Sequence, residues 1–502
     1  MLNDFWKKLK SGTDIRGEAV EGDGRTVNLT DNAIKAMVNG FMLWLSQKQN
    51  KSVDAMKISV GRDSRISGPH ILALTTQTLC QAGVQVLDCG LASTPSMFMT
   101  TVDLQCDGAI QITASHHPFY RNGLKFFTPN GGLEGSDIEQ ILEYAQNAVA
   151  PLKQTTGTIT AFDYMSIYAE HLCDMIKREV QADNYDKPLA GFKIIVDAGN
   201  GAGGFYAKDV LEKLGADITG SQFLEPDGMF PNHIPNPEDK TAMASICKAV
   251  KEHHADLGVI FDTDVDRGGA VDSNGDEINR NRLVALAAAI ALENNPGGMV
   301  VTDSVTSSGL KTFIEDTLGG KHLRFKRGYK NVIDEAIRQN ALGINCPLAI
   351  ETSGHAALKE NYFLDDGAYL CTKIIIKAAQ LRKEGKSLES LTADLIQPVE
   401  SKEFRMGISE KDFRTYGEQV IQNLNDYAQS NPYFNVAPDN YEGIRVSFDK
   451  EHGAGWFLLR LSVHDPIMPL NIESDIAGGT DLILEQLLPF LKTCNGLTNL
   501  PV

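Results

Sequence analysis

The chain has 502 residues, of which 47 are Lys or Arg and 65 are Asp or Glu, for a formal charge of −18, and 42% are hydrophobic. That length exceeds the roughly 250–300 residues at which a single core stops growing, so several domains are expected. The negative average field disfavours nucleic acid and anionic membranes as partners, and an anionic ligand must be met by local clusters of Arg and Lys.

The N-terminal MLNDFWKKLKSGTD lacks the apolar stretch of a secretory signal. The longest apolar run, residues 283–292, is well short of the ~20 residues that span a bilayer. Eight cysteines are widely scattered without C-x-x-C spacing, which predicts reduced core thiols in a soluble, cytoplasmic protein.

In chain order, Val- and Ile-rich runs recur at residues 57–60, 108–112, 193–196, 257–261, 299–301 and 347–350. Each is followed by a polar loop, namely GRDSR, TASHHP, DAGNG, DTDVDR, TDSVTSS and ETSGH, and most of these lead into a helical-period segment. This is the pattern of parallel α/β units. Ligands of open α/β sheets bind beyond the carboxyl ends of strands, so the loops are expected to share a cleft. Residues 149–160 lack periodicity, VDSNGDEI turns like a hairpin before 280, and from 398 the βα repetition gives way to an α+β pattern. The expected domains are therefore 1–160, 161–280, 281–397 and 398–502.

In DTDVDR, Asp262, Asp264 and Asp266 repel one another unless a cation sits among them. Alternation from a strand end can bring all three to one side, and hard oxygen ligands favour Mg²⁺. A solvated acidic turn is the alternative. An EF-hand is excluded, because Arg267 stands where that loop needs Gly and Ser273 where it needs Glu.

Ser115, in TASHHP, follows a strand, is flanked by His116 and is followed by Lys125, which suits a nucleophile or phosphate carrier. A turn or helix cap is the bland alternative. On extended backbone the rings of His116 and His117 would point apart, against a two-histidine metal site. GNGAGG, residues 199–204, matches G-x-G-x-x-G before the helical YAKDVLEKLG and opens an NAD-dependent oxidoreductase reading. The next expected strand, residues 216–219, ends without the acidic residue a ribose needs, which favours a tight turn.

ETSGH offers Glu351, Ser353 and His355, a carboxylate, a hydroxyl and an imidazole; the first two suit adjacent sugar hydroxyls. Arg16, Arg62, Arg65, Lys326, Arg327, Lys330, Arg445 and Arg460 stand in Gly- or Ser-containing segments where backbone can help bind phosphate.

Together the loops resemble the α-D-phosphohexomutase superfamily, from about Ser11 to Glu473. SGTDIRG is similar to its N-terminal arginine motif, TASHHP to its TASHNP phosphoserine loop, and DTDVDR to its DxDxDR metal loop. ETSGH resembles the ExSGH sugar loop of the phosphomannomutase/phosphoglucomutase branch, and FPNHIPNPE and NGLKF also fit. The resemblance implies a heart-shaped monomer of three related mixed-sheet α/β domains plus a C-terminal α+β domain. It implies reversible phosphoryl transfer between O1 and O6 of mannose or glucose phosphate, through phosphorylated Ser115 and a hexose 1,6-bisphosphate.

One Mg²⁺ would be held by Asp262, Asp264, Asp266 and an oxygen on Ser115. Arg267 would assist transfer, and Arg16, His116, Lys125 and His355 would take part in proton transfer or its electrostatic support. Lys326, Glu351 and Ser353 would hold the sugar. Arg445, Arg460, Ser462 and His464 would hold phosphate, the last three in RLSVHDP, which departs from the family's RxSNTxP or RxSGTEP. His117 also departs, from the family's asparagine. A sugar-phosphate-binding relative without turnover remains as a non-enzymatic alternative.

Overall fold

The computed structural model describes residues 1–22, 24–148, 156–462 and 465–501. The chain divides into two compact units, one of residues 1–279, 353–356 and 364–388, the other of residues 280–352, 357–363 and 389–502.

The first unit opens with an eight-stranded sheet. Its main order is Lys10–Ser11, Asp14–Glu18, Arg121–Thr128, Gly108–Ile112, Lys57–Arg62, Gln85–Leu91 and Thr158–Ala161. Strands from Gly108–Ile112 onward are mutually parallel, whereas Arg121–Thr128 runs antiparallel to both its neighbours in that order. Helix Asp31–Gln49 begins where Thr30 accepts a hydrogen bond from the amide of Ala33. It buries Ile34, Met37, Val38, Phe41, Met42 and Leu45, the i, i+3, i+4, i+7 stripe of a core-facing helix. Phe41 stacks on Phe126 of the sheet at 4.5 Å between ring centres. Gly40 lets helix Gly135–Gln146 come close, since a Cβ there would lie 2.4 Å from the Ile141 carbonyl oxygen.

A second sheet follows in the order Glu277–Ile278, Gly268–Val271, Leu257–Phe261, Ile194–Asp197. Leu257–Phe261 is parallel to Ile194–Asp197 and antiparallel to Gly268–Val271, so residues 262–267 close a hairpin. Residues expected as a strand at 216–219 form only an isolated bridge, from Asp217 to Lys193. Within the expected helix YAKDVLEKLG, Tyr206–Glu212 is wound as a wider π-helix.

In the second unit, Met299–Thr302 lies between Lys321–Arg324 and Leu348–Ile350, all three parallel. The C-terminal sheet is antiparallel and six-stranded, and helices Phe413–Ser430 and Gly479–Leu491 contribute to its core. Among the described residues no helix is long and apolar enough to cross a membrane. All eight cysteines are free thiols, and burial pushes Cys89 and Cys346 up to about 12.

Candidate active site

Thr113 to Ser115 leave the carboxyl end of the central strand Gly108–Ile112 in the first unit. Ser115 takes a left-handed φ of 50° and is 2% exposed. Its amide donates to Thr113 Oγ1 at 2.9 Å, and its Oγ lies 3.2 Å from both Asp262 Oδ2 and His116 Nδ1. Because the chain turns here, the expectation that the two histidine rings diverge is corrected: they stack at 5.1 Å, 18° from parallel. Burial and the charges of Arg267 and Arg16 push His116 down to about 2; burial with Arg16 and Arg121 pushes His117 to about 3. Both rings are therefore neutral near pH 7.

Arg65 fastens this loop from beneath. It is fully buried and paired with Asp63 at 3.2 Å. Its guanidinium donates to the carbonyls of Ser115, His117 (2.6 Å), Pro118 (2.8 Å) and Arg121 (3.0 Å). Arg65 therefore shapes the loop through its backbone, a role that its place in GRDSR does not reveal.

The acidic loop is a turn, not the extended strand end the spacing suggested, with Val265 at φ 68°. The turn still gathers Asp262, Asp264 and Asp266, each offering an oxygen within 4.8 Å of the others, and all three are buried. Thr94 donates to Asp264 Oδ2, and Lys125 Nζ contacts Asp266 Oδ2 at 2.9 Å. Asp264 Oδ1 and Asp266 Oδ1 are buried with no hydrogen-bond partner. Burial and the neighbouring carboxylates push Asp262 well above the usual carboxylate range and Asp264 up to about 6. For Asp266 burial works the same way, but the charge and hydrogen bond of Lys125, with the charge of Arg267, outweigh it and hold the group low. Two orphaned oxygens in a crowded, buried triad fit a hard divalent cation.

Arg267 Nε donates to His355 Nε2 at 2.8 Å. An arginine can only donate, so Nδ1 carries the imidazole proton and donates to Asp365 Oδ2 at 2.5 Å. His355, expected in proton transfer, thus has both ring nitrogens engaged and orients Arg267. Arg16 pairs with Asp14 at 2.8 Å on the strand beside Arg121–Thr128. Ser353 Oγ is buried without a hydrogen-bond partner.

The second unit holds the other expected residues. Glu351 Oε1 accepts from the amide of Gly328 at 2.6 Å, beside exposed Lys326. Glu442, which no motif indicated, accepts from Ser304 Oγ (2.6 Å) and the amide of Arg327 (3.1 Å), and lies 3.9 Å from Arg460 Nη1. Ser462 Oγ accepts from the amide of Asp465 at 3.3 Å. His464 lies outside the described residues. Arg445, expected at a phosphate, is 4% exposed, donates to the carbonyls of Ser304 and Thr306, and lies 3.5 Å over the Trp456 ring. Through Nη1 it supports the loop of residues 304–306.

The glycines of GNGAGG are occupied by the chain itself. A Cβ on Gly201 would lie 2.6 Å from the Thr263 carbonyl oxygen and one on Gly204 2.1 Å from that of Leu224. They permit close packing against the acidic loop and its surroundings, and supply no cradle for a pyrophosphate.

Buried acidic turn, adjacent serine and mixed α/β sheets define a phosphoryl-transfer class of site. Family profiles described as phosphoglucomutase/phosphomannomutase alpha/beta/alpha domains I, II and III match residues 7–150, 168–275 and 279–399. The chain belongs to the phosphoglucomutase/phosphomannomutase family. It is 31% identical over 419 residues to a phosphomannomutase/phosphoglucomutase of Pseudomonas syringae pv. tomato, covering 83% of each chain. It is 29% identical over 472 residues to a phosphoglucomutase of Neisseria gonorrhoeae, covering 94% of each. A crystal structure of a phosphoglucomutase/phosphomannomutase family protein from Burkholderia thailandensis superposes with TM-score 0.79 at 25% identity over the whole of both chains.

Proposed function

We propose that this chain is an isomerase that moves a phosphoryl group reversibly between O1 and O6 of mannose or glucose phosphate, with Ser115 as the carrier. A substrate hydroxyl oxygen bonds to phosphorus as the bond from phosphorus to Ser115 Oγ breaks, and the hydroxyl proton ends on Ser115 Oγ, giving a hexose 1,6-bisphosphate and a free serine hydroxyl. Ser115 Oγ then takes the other phosphoryl group, the bond from that phosphorus to the sugar oxygen breaks, and the serine proton ends on that sugar oxygen. The observation that carries the reading is the approach of Ser115 Oγ to within 3.2 Å of Asp262, at the edge of a buried triad with two orphaned oxygens.

Asp262, Asp264 and Asp266, with an oxygen on Ser115, are the residues that would hold Mg²⁺, which when bound offsets negative charge on a transferred phosphoryl group. His116, with Nδ1 3.2 Å from Ser115 Oγ, lies within hydrogen-bonding reach of the carrier oxygen. Lys125 and Arg267 supply positive charge beside the acidic turn, and Arg16 adds to the field at His116 and His117. In the second unit, Lys326 and Glu351 suit sugar hydroxyls, and Arg460 and Ser462 suit a phosphate. Buried Ser353 is a further sugar ligand.

Phosphorus NMR tests this with Mg²⁺, a trace of hexose bisphosphate and either mannose 1-phosphate or glucose 1-phosphate. Growth of the matching 6-phosphate resonance is expected. Binding of both sugars without interconversion would overturn the mutase reading and leave a sugar-phosphate binder.

A further inference from the structure

The second unit contains a cavity of about 400 Å³ lined by Lys311, His322, Arg324 and Arg445, with Asp439 the one carboxylate among the lining residues. Arg445 and Ser447 contribute from strand Ile444–Ser447, whose first residue pairs with Leu459, next to Arg460. The cavity therefore runs along that strand away from the Arg460 loop.

Its polar lining is incompletely satisfied. Arg445 Nη2 is buried and has no hydrogen-bond partner, although Nη1 donates to Ser304 and Thr306. Arg324, 6% exposed, uses its donors on Thr306 Oγ1 and the Ser307 carbonyl, and its contact with Asp439 is long at 3.5 Å. Burial and the neighbouring Arg324 charge both push Arg445 downward. His322 is 8% exposed and bonded through Nε2 to Thr302 Oγ1 at 2.7 Å. The Thr302 hydroxyl also lies within reach of the Asp303 carbonyl and Thr306 Oγ1, and His322 Nδ1 is buried without a hydrogen-bond partner. Lys311 is paired with Glu315 at 2.5 Å, outside the lining, and the feature that points to a ligand is the orphaned guanidinium nitrogen of Arg445.

We propose that this cavity binds a small hydroxylated phosphate monoester, at a site separate from the one that contains Ser115. The phosphate would meet Arg445 Nη2 and Lys311, a ligand hydroxyl would hydrogen-bond with His322 Nδ1, and the organic body would rest on Val436 and Pro438. The volume falls in the range of small-molecule pockets, which run from about 300 to 1,000 Å³. The inference does not depend on the mutase reading, and its test reads binding instead of turnover.

Glycerol 3-phosphate is titrated calorimetrically into wild type, Arg460→Ala and Lys311→Gln, and wild-type crystals are soaked in tungstate. Lys311 is half-exposed on a helix, so its substitution leaves the core intact. Arg460→Ala should retain a binding event that Lys311→Gln weakens about ten- to a hundredfold, the scale of a lost charge-assisted hydrogen bond. Tungsten density is expected between Arg445 and Lys311. Binding lost in Arg460→Ala but unchanged in Lys311→Gln, no binding to wild type, or soaked crystals with no tungsten in the cavity would each overturn the proposal. If Lys311→Gln failed to fold, the wild-type soak would still decide.

Discussion

Arg65 and Asp264 are buried charged residues with different duties. Arg65 ties four backbone carbonyls around Ser115 and offsets Asp63, so Arg65→Met leaves a buried carboxylate and several acceptors unmatched. Breaking such a pair costs about 3–5 kcal/mol, and urea unfolding of the variant should register a loss of that order. A change below about 1 kcal/mol would mean that the loop keeps its shape without the arginine. Asp264→Asn removes one of the three negative charges around the proposed cation. It should depress kcat on the order of 10²–10³-fold while KM moves little, because charge that shifts during transfer is felt in kcat. Wild-type rates at limiting Mg²⁺ would contradict the assignment. Ser115 and the three aspartates were legible in the sequence because their chemistry is concentrated within single loops. Thr94, Glu442 and the actual role of Arg65 were not, since each works by contacting a loop distant in the chain, and a single Thr, Arg or Glu carries no local signal of that.

At the scale of elements, strand-then-loop punctuation located the chemistry, but backbone geometry altered how it was delivered. The acidic loop converges through a turn with Val265 at positive φ, a conformation that the alternation rule for strands does not anticipate. G-x-G-x-x-G serves close packing, as the missing acidic residue led one to expect: glycine permits close approach of anything, and here the approaching group is the Thr263 carbonyl. Gly201→Ala should therefore displace the acidic turn and weaken Mg²⁺ binding, read by calorimetry; unchanged affinity would show that the turn does not rest on this contact. Nearby, His233 Nε2 lies 3.0 Å from Asp197 Oδ2 in the core of the first unit. Burial opposes its protonation, yet the hydrogen bond and charge of Asp197 prevail and its pKa is raised. A raised folded-state pKa contributes stability that is fully present below the unfolded value of about 6.5 and is lost as pH rises through the folded value. The stability difference between wild type and His233→Gln should thus shrink from pH 6 to pH 9. A constant difference would mean that His233 is neutral throughout and acts only as a neutral hydrogen-bonding group.

At the scale of the whole molecule, a chain of net charge −18 concentrates three buried carboxylates in one turn and three cations around one cavity. The succession of four sheets followed from recurring βα units and their loss near residue 398. The division of ETSGH, with Glu351 in one unit and Ser353 in the other, was not legible, since it depends on contacts between residues far apart in the chain. Binding only to the folded chain, Mg²⁺ at 100 times its dissociation constant should add about 2.7 kcal/mol of stability, seen as a raised Tm that chelation reverses. Absence of any shift would argue against the buried triad as a cation site. The central claim is that Ser115 carries phosphate. Its most direct measurement is intact and peptide mass spectrometry of wild type and Ser115→Ala after incubation with hexose 1,6-bisphosphate and Mg²⁺, before and after a chase with hexose monophosphate. One phosphoryl group on the peptide containing Ser115, discharged by the chase and missing from the variant, is the predicted result; wild type that never gains it would contradict the account.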